Sequence, residues 1–395
     1  MSMVADTDIA IIGGGPAGAA LALALRGNGG TGNHDGSSAR VTVLEARANV
    51  TNGPGDLRPI ALSHGSRLLL ERLGAWRGLA PTLINHIHIS QRGGFGRAAL
   101  SATDAGVPAL GYVIDYNDIV STMADAARGG DSDYREGARA TALHRDGEYQ
   151  HIEYTRDGVP ATLTARLVVV ADGGDIAGLA PPKVIDYAQH ALTARVSTAL
   201  PHNHVAYERF TPDGPLALLP FGEEMALVWT LTPHRAKEFK DADEKNFLAA
   251  LREAFGGRLG DFKAVAHRAC YPLMLRYNAG AAAPGMVAIG NAAQTLHPVA
   301  GQGFNLGLRD AWELAQVLRK ASVQTLAHPE TVRSYVARRR FDRNATVAAT
   351  HGLVRLFSND FFPLNALRGA AMTALGCITP ARDFLARRMI FGVRG

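Results

Sequence analysis

The segment DIAIIGGGPAGAALALAL, Asp8–Leu25, constrains the fold more than any other stretch of this chain. It reads as an apolar strand, a glycine turn and an alanine- and leucine-rich helix in direct succession. Gly13, Gly15 and Gly18 fit the pattern G-x-G-x-x-G. The first glycine permits a tight turn, the second admits a pyrophosphate close to the backbone, and the third lets helix and strand pack closely. The phosphate then lies on the helix start, where Pro16 and Ala17 stand and where free N–H groups and the dipole favour an anion. A second strand, RVTVLEA, ends at Glu45, the acid expected to bind a ribose hydroxyl. The spacing exceeds the usual ~20 residues, and GNGGTGNHDGSSA, Gly27–Ala39, accounts for it as a polar loop inserted between helix and strand. A structural turn alone would explain the glycines but not the acid. Strand, turn, helix and acid together predict an α/β, Rossmann-like domain for a dinucleotide, with NAD and FAD both open at this point.

Length and composition narrow the surroundings of that domain. At 395 residues there is room for two domains, or for one α/β domain with an insertion. A net charge of +5 with dispersed arginines lacks the dense basic face of nucleic-acid binding, so no nucleic-acid partner is expected. Cys270 and Cys377 lack metal-ligand or C-x-x-C spacing and read as small buried hydrophobes of a reducing cytoplasm. His86 and His88 alternate on one strand without a third ligand at useful spacing, so no metal site is expected. The N-terminus has no basic stretch before its apolar run, and no run of about 18 apolar residues is unbroken. The expected location is cytoplasmic, with a peripheral seat at the inner membrane left open.

Further along, DLRPIALSHGSRLLLERLGAW reads as a turn followed by a helix, and YQHIEYT and ARLVVVADGG as strands, the second buried and parallel. From about Ile185 to Cys270 the texture changes. LALLPF and MALVWTL, separated by GEE, read as a hairpin, and EKNFLAALREAFG as a helix, so this block is expected to be an inserted antiparallel β-sheet domain. MVAIGNAAQTLHPVAGQGFNLGLRDAWELAQVL then returns to strand, loop and helix. The expected organisation is therefore a discontinuous nucleotide domain over 1–80, 111–184 and 271–340, a substrate domain over 81–110 and 185–270, and a helical C-terminal region over 341–395.

The late loop has a specific use. A strand, Gly290 and Asn291, Pro298, bare glycines at Gly301 and Gly303, and then a helix would aim free N–H groups at any ligand facing the helix start. A reduced flavin ring carries negative charge on one edge, and side chains beyond Cβ would hold that planar ring away. A glycine turn ahead of a core helix, with Leu306, Trp312 and Leu314 packing, is the plainer alternative; it leaves the paired glycines unexplained.

The stretch HPVAGQGFNLGLRD, His297–Asp310, together with GGGPAG, DLRPIALS, ADGG, ERFTPDGPLALLPF and TPARDFLARR, resembles the flavin-dependent aromatic hydroxylases of ubiquinone biosynthesis. This is the UbiH/COQ6 family, within the p-hydroxybenzoate-hydroxylase-like monooxygenases, and the chain most resembles its 2-polyprenyl-6-methoxyphenol hydroxylases. The resemblance spans nearly the whole chain. It implies an FAD-dependent monooxygenase that takes electrons from NAD(P)H and O2 as co-substrate, and hydroxylates a polyprenylated phenol through a flavin C4a-hydroperoxide. It implies FAD contacts from Gly13, Gly15, Pro16, Ala17, Gly18, Glu45, Arg47, Arg58, Asp172, Gly290, Asn291, Gly301, Gly303, Phe304 and Asn305. Asn291 stands where most of the superfamily has aspartate, and the serine and arginine that usually follow the Asp-Gly pair are absent after Asp172. Those departures motivate the rival reading of a flavin-fold scaffold in a quinone-synthesis complex. A second rival is a flavin enzyme for another aromatic or isoprenoid compound.

No Ser/His/Asp set and no paired carboxylates occur at a credible site, as suits chemistry carried by a cofactor. The expected catalytic positions are Gln302 beside the flavin, Pro298 on its reacting face, and His297, for which a satisfied loop histidine is the plainer alternative. The substrate pocket should be wide and apolar. In the C-terminal third, ARRRFDRN concentrates arginines, and Phe384, Leu385 and Met389 lie near one helical face beside Arg387 and Arg388. Core packing and docking to a membrane or partner are equal readings of that region, and a homo-oligomer is left open.

Overall fold

The computed structural model describes residues 5–26, 39–48, 58–173, 181–278, 282–297, 301–357 and 362–392. Two sheets carry the architecture. The first has the strand order 282–283, 286–288, 159–170, 7–12, 41–45, 133–136, and the opening strand Thr7–Ile12 lies parallel to both its neighbours. All six residues of that strand are buried, as expected of a parallel strand covered on both faces. Ile9 and Ile11 face a core built with the helices Pro16–Ala24, Tyr116–Arg128 and Gln302–Leu318. Ala10 and Ile12 face the opposite core, closed by the antiparallel hairpin Ala138–Asp146 and Tyr149–Arg156 through Ile152 and Tyr154.

The second sheet has the order 294–295, 262–277, 183–198, 224–231, 214–221, 205–211, 86–91, 97–101. Strands 214–221 and 224–231 form the hairpin read from LALLPF and MALVWTL. One face of this sheet is covered by the helices Pro233–Asp241 and Glu244–Phe255, with Trp229, Phe239, Phe247 and Phe255 in the core between them. Its opposite face is turned toward the first sheet and lines a large cavity.

Several expectations need adjustment. The strand Phe262–Tyr277 is continuous through the expected boundary at 270, pairing with Lys183–Thr198 from one end to the other with three shifts of register. The helix Pro329–Phe357 likewise runs through the boundary at 340. DLRPIALS is not a simple turn into a helix. Pro59–Ser63 is a strand paired with Gly111–Asp115, and the helix His64–Arg72 starts at Ser63, whose Oγ accepts from the Ser66 N–H. Cys270 is half-buried, but Cys377 is exposed rather than buried. The basic run ARRRFDRN is divided between two faces: Arg339 and Arg343 are buried on the inward face of a long helix whose buried acids include Asp342, whereas Arg340 is exposed. Phe384 is exposed, whereas Leu385 and Met389 line the cavity, so these three residues do not share one outward face. The polar loop expected between the first helix and the second strand lies, but for Ala39, outside the described residues.

Candidate functional site

The cavity between the two sheets has a volume of about 1250 Å³. Typical ligand pockets occupy ~300–1,000 Å³, so there is space for more than one small ligand. Its polar end lies beyond the carboxyl ends of strands 7–12, 41–45 and 159–170, where open α/β sheets place ligands. Its other walls come from the second sheet and from the helices Phe362–Cys377 and Thr379–Phe391.

The early glycine turn is shaped by close backbone approaches. Gly13 has φ +99°, and a Cβ there would stand 2.6 Å from the Asp172 amide nitrogen. Only glycine occupies that conformation without strain. A Cβ on Gly18 would lie 1.9 Å from the Gly13 carbonyl oxygen, so the helix is pressed onto the turn. Gly15 is different: a Cβ there would meet nothing within 4 Å, because its open side is the cavity. Pro16 and Ala17, at the start of the helix, line the same space.

Glu45 is buried at the end of its strand and lines the cavity. One carboxylate oxygen accepts the Gly14 N–H at 2.8 Å, and the other accepts the Arg47 N–H at 3.0 Å and Nε–H at 2.8 Å. A carboxylate has about four lone-pair sites, so capacity remains for ribose hydroxyls. Tyr134, which the sequence reading missed, donates its hydroxyl to the Gly14 carbonyl at 3.1 Å and backs the turn from behind. Burial, with Glu45 and Glu136 nearby, pushes its phenol well above the ordinary range. Arg58 lines the cavity with its guanidinium 4.4 Å from the centre of the Tyr271 ring. Asp172 lies opposite Gly13 and also faces the cavity.

The late loop comes back to the same end of the sheet. Ile289 donates its N–H to Val170, and Gly290 follows with φ +59°, close enough to the first helix that a Cβ would lie 2.8 Å from that of Ala17. Asn291, Gly301, Gly303 and Phe304 line the cavity. Gly301 is in the left-handed region and starts the helix Gln302–Leu318. A Cβ on Gly303 would meet nothing within 4 Å. Two helix N-termini, one early and one late, thus open onto one cavity.

Three expected positions stand elsewhere. Asn305 is buried off the main cavity wall; its Oδ1 accepts the Ser63 N–H at 2.9 Å and its Nδ2 donates to Gly301 at 2.8 Å and Ala61 at 3.3 Å. Its amide is committed to backbone, which makes it a clamp on the glycine turn rather than a direct contact. Gln302 does not line the main cavity but a small adjoining space of about 60 Å³. His297 is buried behind the wall, with the Tyr187 ring edge-on at 5.5 Å, and burial depresses its pKa to about 4. It is a neutral core histidine and not a residue of the cavity wall. Pro298 lies outside the described residues.

Two further residues escaped the sequence reading. Asp310, the last residue of the late motif, supports the loop from below: its Oδ2 accepts the Gly290 N–H at 3.1 Å and a Gln294 Nε2–H at 2.6 Å. Glu208, the first residue of ERFTPDGPLALLPF, lines the cavity on the second sheet. The motifs containing both were visible in the sequence, but nothing local revealed which way either side chain turns.

The family described as FAD binding domain matches residues 6–349. The chain is 30% identical to the 3-demethoxyubiquinol 3-hydroxylase of Escherichia coli K12, over 93% of this chain and 94% of the relative. It is 32% identical to the ubiquinone hydroxylase UbiL of Rhodospirillum rubrum, over 96% of this chain and 88% of the relative. In fold it is similar to the p-nitrophenol 4-monooxygenase PnpA of Pseudomonas putida DLL-E4, with a TM-score of 0.77, 17% identity and full coverage of both chains.

Proposed function

This chain belongs to the FAD binding domain family, among its FAD-dependent aromatic hydroxylases, and from that premise we propose that it hydroxylates a polyprenylated phenol or methoxyphenol in ubiquinone biosynthesis. The single observation that carries the reading is the shared cavity. Two glycine-edged helix starts, at Gly15 and at Gly301–Gly303, face one space whose remaining walls are largely aliphatic.

The residues present suit FAD. Gly15 and Gly303 are bare toward the cavity, so a planar or phosphorylated ligand can touch backbone there. Gly13, Gly15, Pro16 and Ala17 would hold the pyrophosphate on helix amides, with Gly18 packing the helix onto the turn. Glu45 would accept from the ribose, with Arg47 holding its carboxylate in place. Arg58, Asp172, Gly290 and Asn291 would border the middle of the cofactor, and Gly301, Gly303 and Phe304 its ring. Bound FAD supplies reductive activation of O2 with electrons from NAD(P)H, so that one oxygen atom enters the ring of the phenol and the other leaves as water.

The chain's own work is binding, orientation and exclusion of water. Amides at the start of the helix Gln302–Leu318 would stabilise negative charge on a ring edge that meets them. Ile87, Ile89, Ala98, Ala206 and Leu219 present an aliphatic wall on which a prenylated ring can lie while water is kept from the reacting atoms. Leu385, Met389 and Met372 cover that space from the C-terminal helices. Among the described residues, no helix is long and apolar enough to cross a membrane.

The test is FAD uptake by the isolated protein, followed by NAD(P)H oxidation with a panel of prenylated phenols. Stoichiometric FAD binding and phenol-stimulated oxidation with a hydroxylated product are expected. FAD binding without stimulation by any prenylated phenol would transfer the reading to another aromatic substrate or to a scaffold.

A further inference from the structure

Glu208 lies on the strand Val205–Thr211, where successive side chains alternate between the two faces of the sheet. Tyr207 and Arg209 face the covering helix. The Tyr207 ring meets Phe255 edge-on at 5.3 Å, and Arg209 Nε donates to the Ala254 carbonyl at 3.1 Å. Ala206, Glu208 and Phe210 therefore face the other way, and all three line the cavity. The residues paired with Glu208 on its neighbouring strands are Ile89 and Ala217, which line the cavity as well. A carboxyl group thus projects from an aliphatic surface.

The residue is half-buried and lines the cavity, and no hydrogen-bond partner meets its carboxyl Oε1, which is itself closed to solvent, among the described residues. Burial raises the carboxyl pKa to about 7. An unsatisfied buried polar group is destabilising, and a leucine would fill the same place without that penalty. Nothing in the packing of the sheet calls for an acid here. A carboxyl group set among aliphatic neighbours on the wall of a ligand chamber, without a hydrogen-bond partner from its own sheet, is satisfied by a polar group that the ligand brings.

Resting on the hydroxylase reading, we infer that Glu208 receives the ring hydroxyl of the substrate. Its carboxylate accepts the phenolic O–H, and that hydrogen bond fixes which ring carbon is presented to the helix end at Gly301–Gly303. The ligand class is a ring bearing a free hydroxyl, with an apolar tail lying along Ile87, Ile89 and Leu219. Rings whose hydroxyl is alkylated leave the carboxyl desolvated and unpaired, and are rejected on that account. The hydroxyl proton is shared with the carboxylate while the ring is held, and no bond is broken in the binding step.

The experiment is calorimetric titration of the FAD-loaded protein with a short-chain prenylated methoxyphenol, and with the same compound methylated at its ring hydroxyl. Wild type, Glu208→Gln and Glu208→Leu are compared after each is shown to take up FAD and to melt cooperatively. Wild type is expected to favour the free phenol about ten-fold or more, the scale of one hydrogen bond to a charged group. Glu208→Leu should lose that preference and bind the ether at least as well as wild type does, and Glu208→Gln should keep only part of it. Wild-type preference in either variant overturns the role of Glu208 alone. Failure of wild type to bind either compound, with FAD in place, overturns the prenylated-phenol reading and this role together.

Discussion

Asp310 and Arg339 form a buried ion pair, Nε to Oδ1 at 2.7 Å, with side-chain exposures of 1% and 3%. The second oxygen of Asp310 carries the amide of Gly290, so the pair joins the long helix Pro329–Phe357 to the loop that borders the proposed cofactor. Arg339 also donates to Asp342 at 2.6 Å, and Asp342 accepts from Arg309 at 3.1 Å. Removing Arg339 would leave carboxylates buried in its place. Arg339→Met should cost ~3–5 kcal/mol of stability and loosen FAD through the Gly290 loop. Urea unfolding with and without FAD measures both; an unchanged midpoint would show that the pair does not anchor the loop.

The two glycines Gly15 and Gly18 separate binding from folding. Gly18→Ala forces a methyl group against the Gly13 carbonyl, and should destabilise the apoprotein by ~1–3 kcal/mol. Gly15→Ala meets no protein atom within 4 Å, so it should cost the apoprotein less than about 1 kcal/mol. It should nonetheless weaken FAD by about ten-fold, roughly 1.4 kcal/mol. Thermal melts of the apoproteins and FAD titrations check the pair. Equal FAD affinity in Gly15→Ala and wild type would count against the pyrophosphate position.

His297 predicts a limb of acid sensitivity. Its pKa falls from 6.5 to about 4 on folding because burial disfavours the charged ring. Between these values the unfolded chain binds the proton and the folded one does not, so stability falls as pH drops from about 6.5 toward 4. The full loss is about 3 kcal/mol. His297→Gln should flatten this limb in urea unfolding measured from pH 7 to pH 4. A limb of undiminished slope would mean that other groups cause it.

Glu208 predicts the opposite sign. Its carboxyl pKa rises from 4.5 to about 7 on folding through burial. Its contribution is fully present below pH 4.5 and is lost as pH rises through 7, when the folded chain must ionise a buried acid. Glu208→Leu should therefore stabilise the apoprotein at pH 8 relative to wild type, by up to about 3 kcal/mol, and the gain should shrink toward pH 5. A destabilised variant at pH 8 would show that the carboxyl has a structural partner.

Much of the site is local in origin and could be read in the chain itself. Gly13 and Gly18 are required by contacts within a few residues of a single turn, or with the strand beside it. The apolar run of Thr7–Ile12 specifies a strand covered on both faces, and the hairpin of Gly214–Leu231 follows from two alternating runs around a short polar turn. The late Gly301 and Gly303 mark a helix start whatever surrounds them. Side-chain direction was not legible. His297 and Asn305 sit in the same motif as Gly303, yet one packs behind the wall and the other grips Ser63 and Ala61, partners from a strand far earlier in the chain. The arginines of ARRRFDRN leave core packing and docking equally open until Asp310 is brought against Arg339. Glu208 meets the cavity only because its strand pairs with 86–91 and 214–221 on the sheet that forms the wall.

The sequence alone therefore determined the dinucleotide turn, the hairpin of the second sheet, and the presence of a second glycine-led helix start, because each depends on backbone conformation and short-range periodicity. Tertiary structure decided which polar groups meet the cavity and which only support it. That assignment depends on desolvation and on contacts between segments that are neighbours only after the chain has folded.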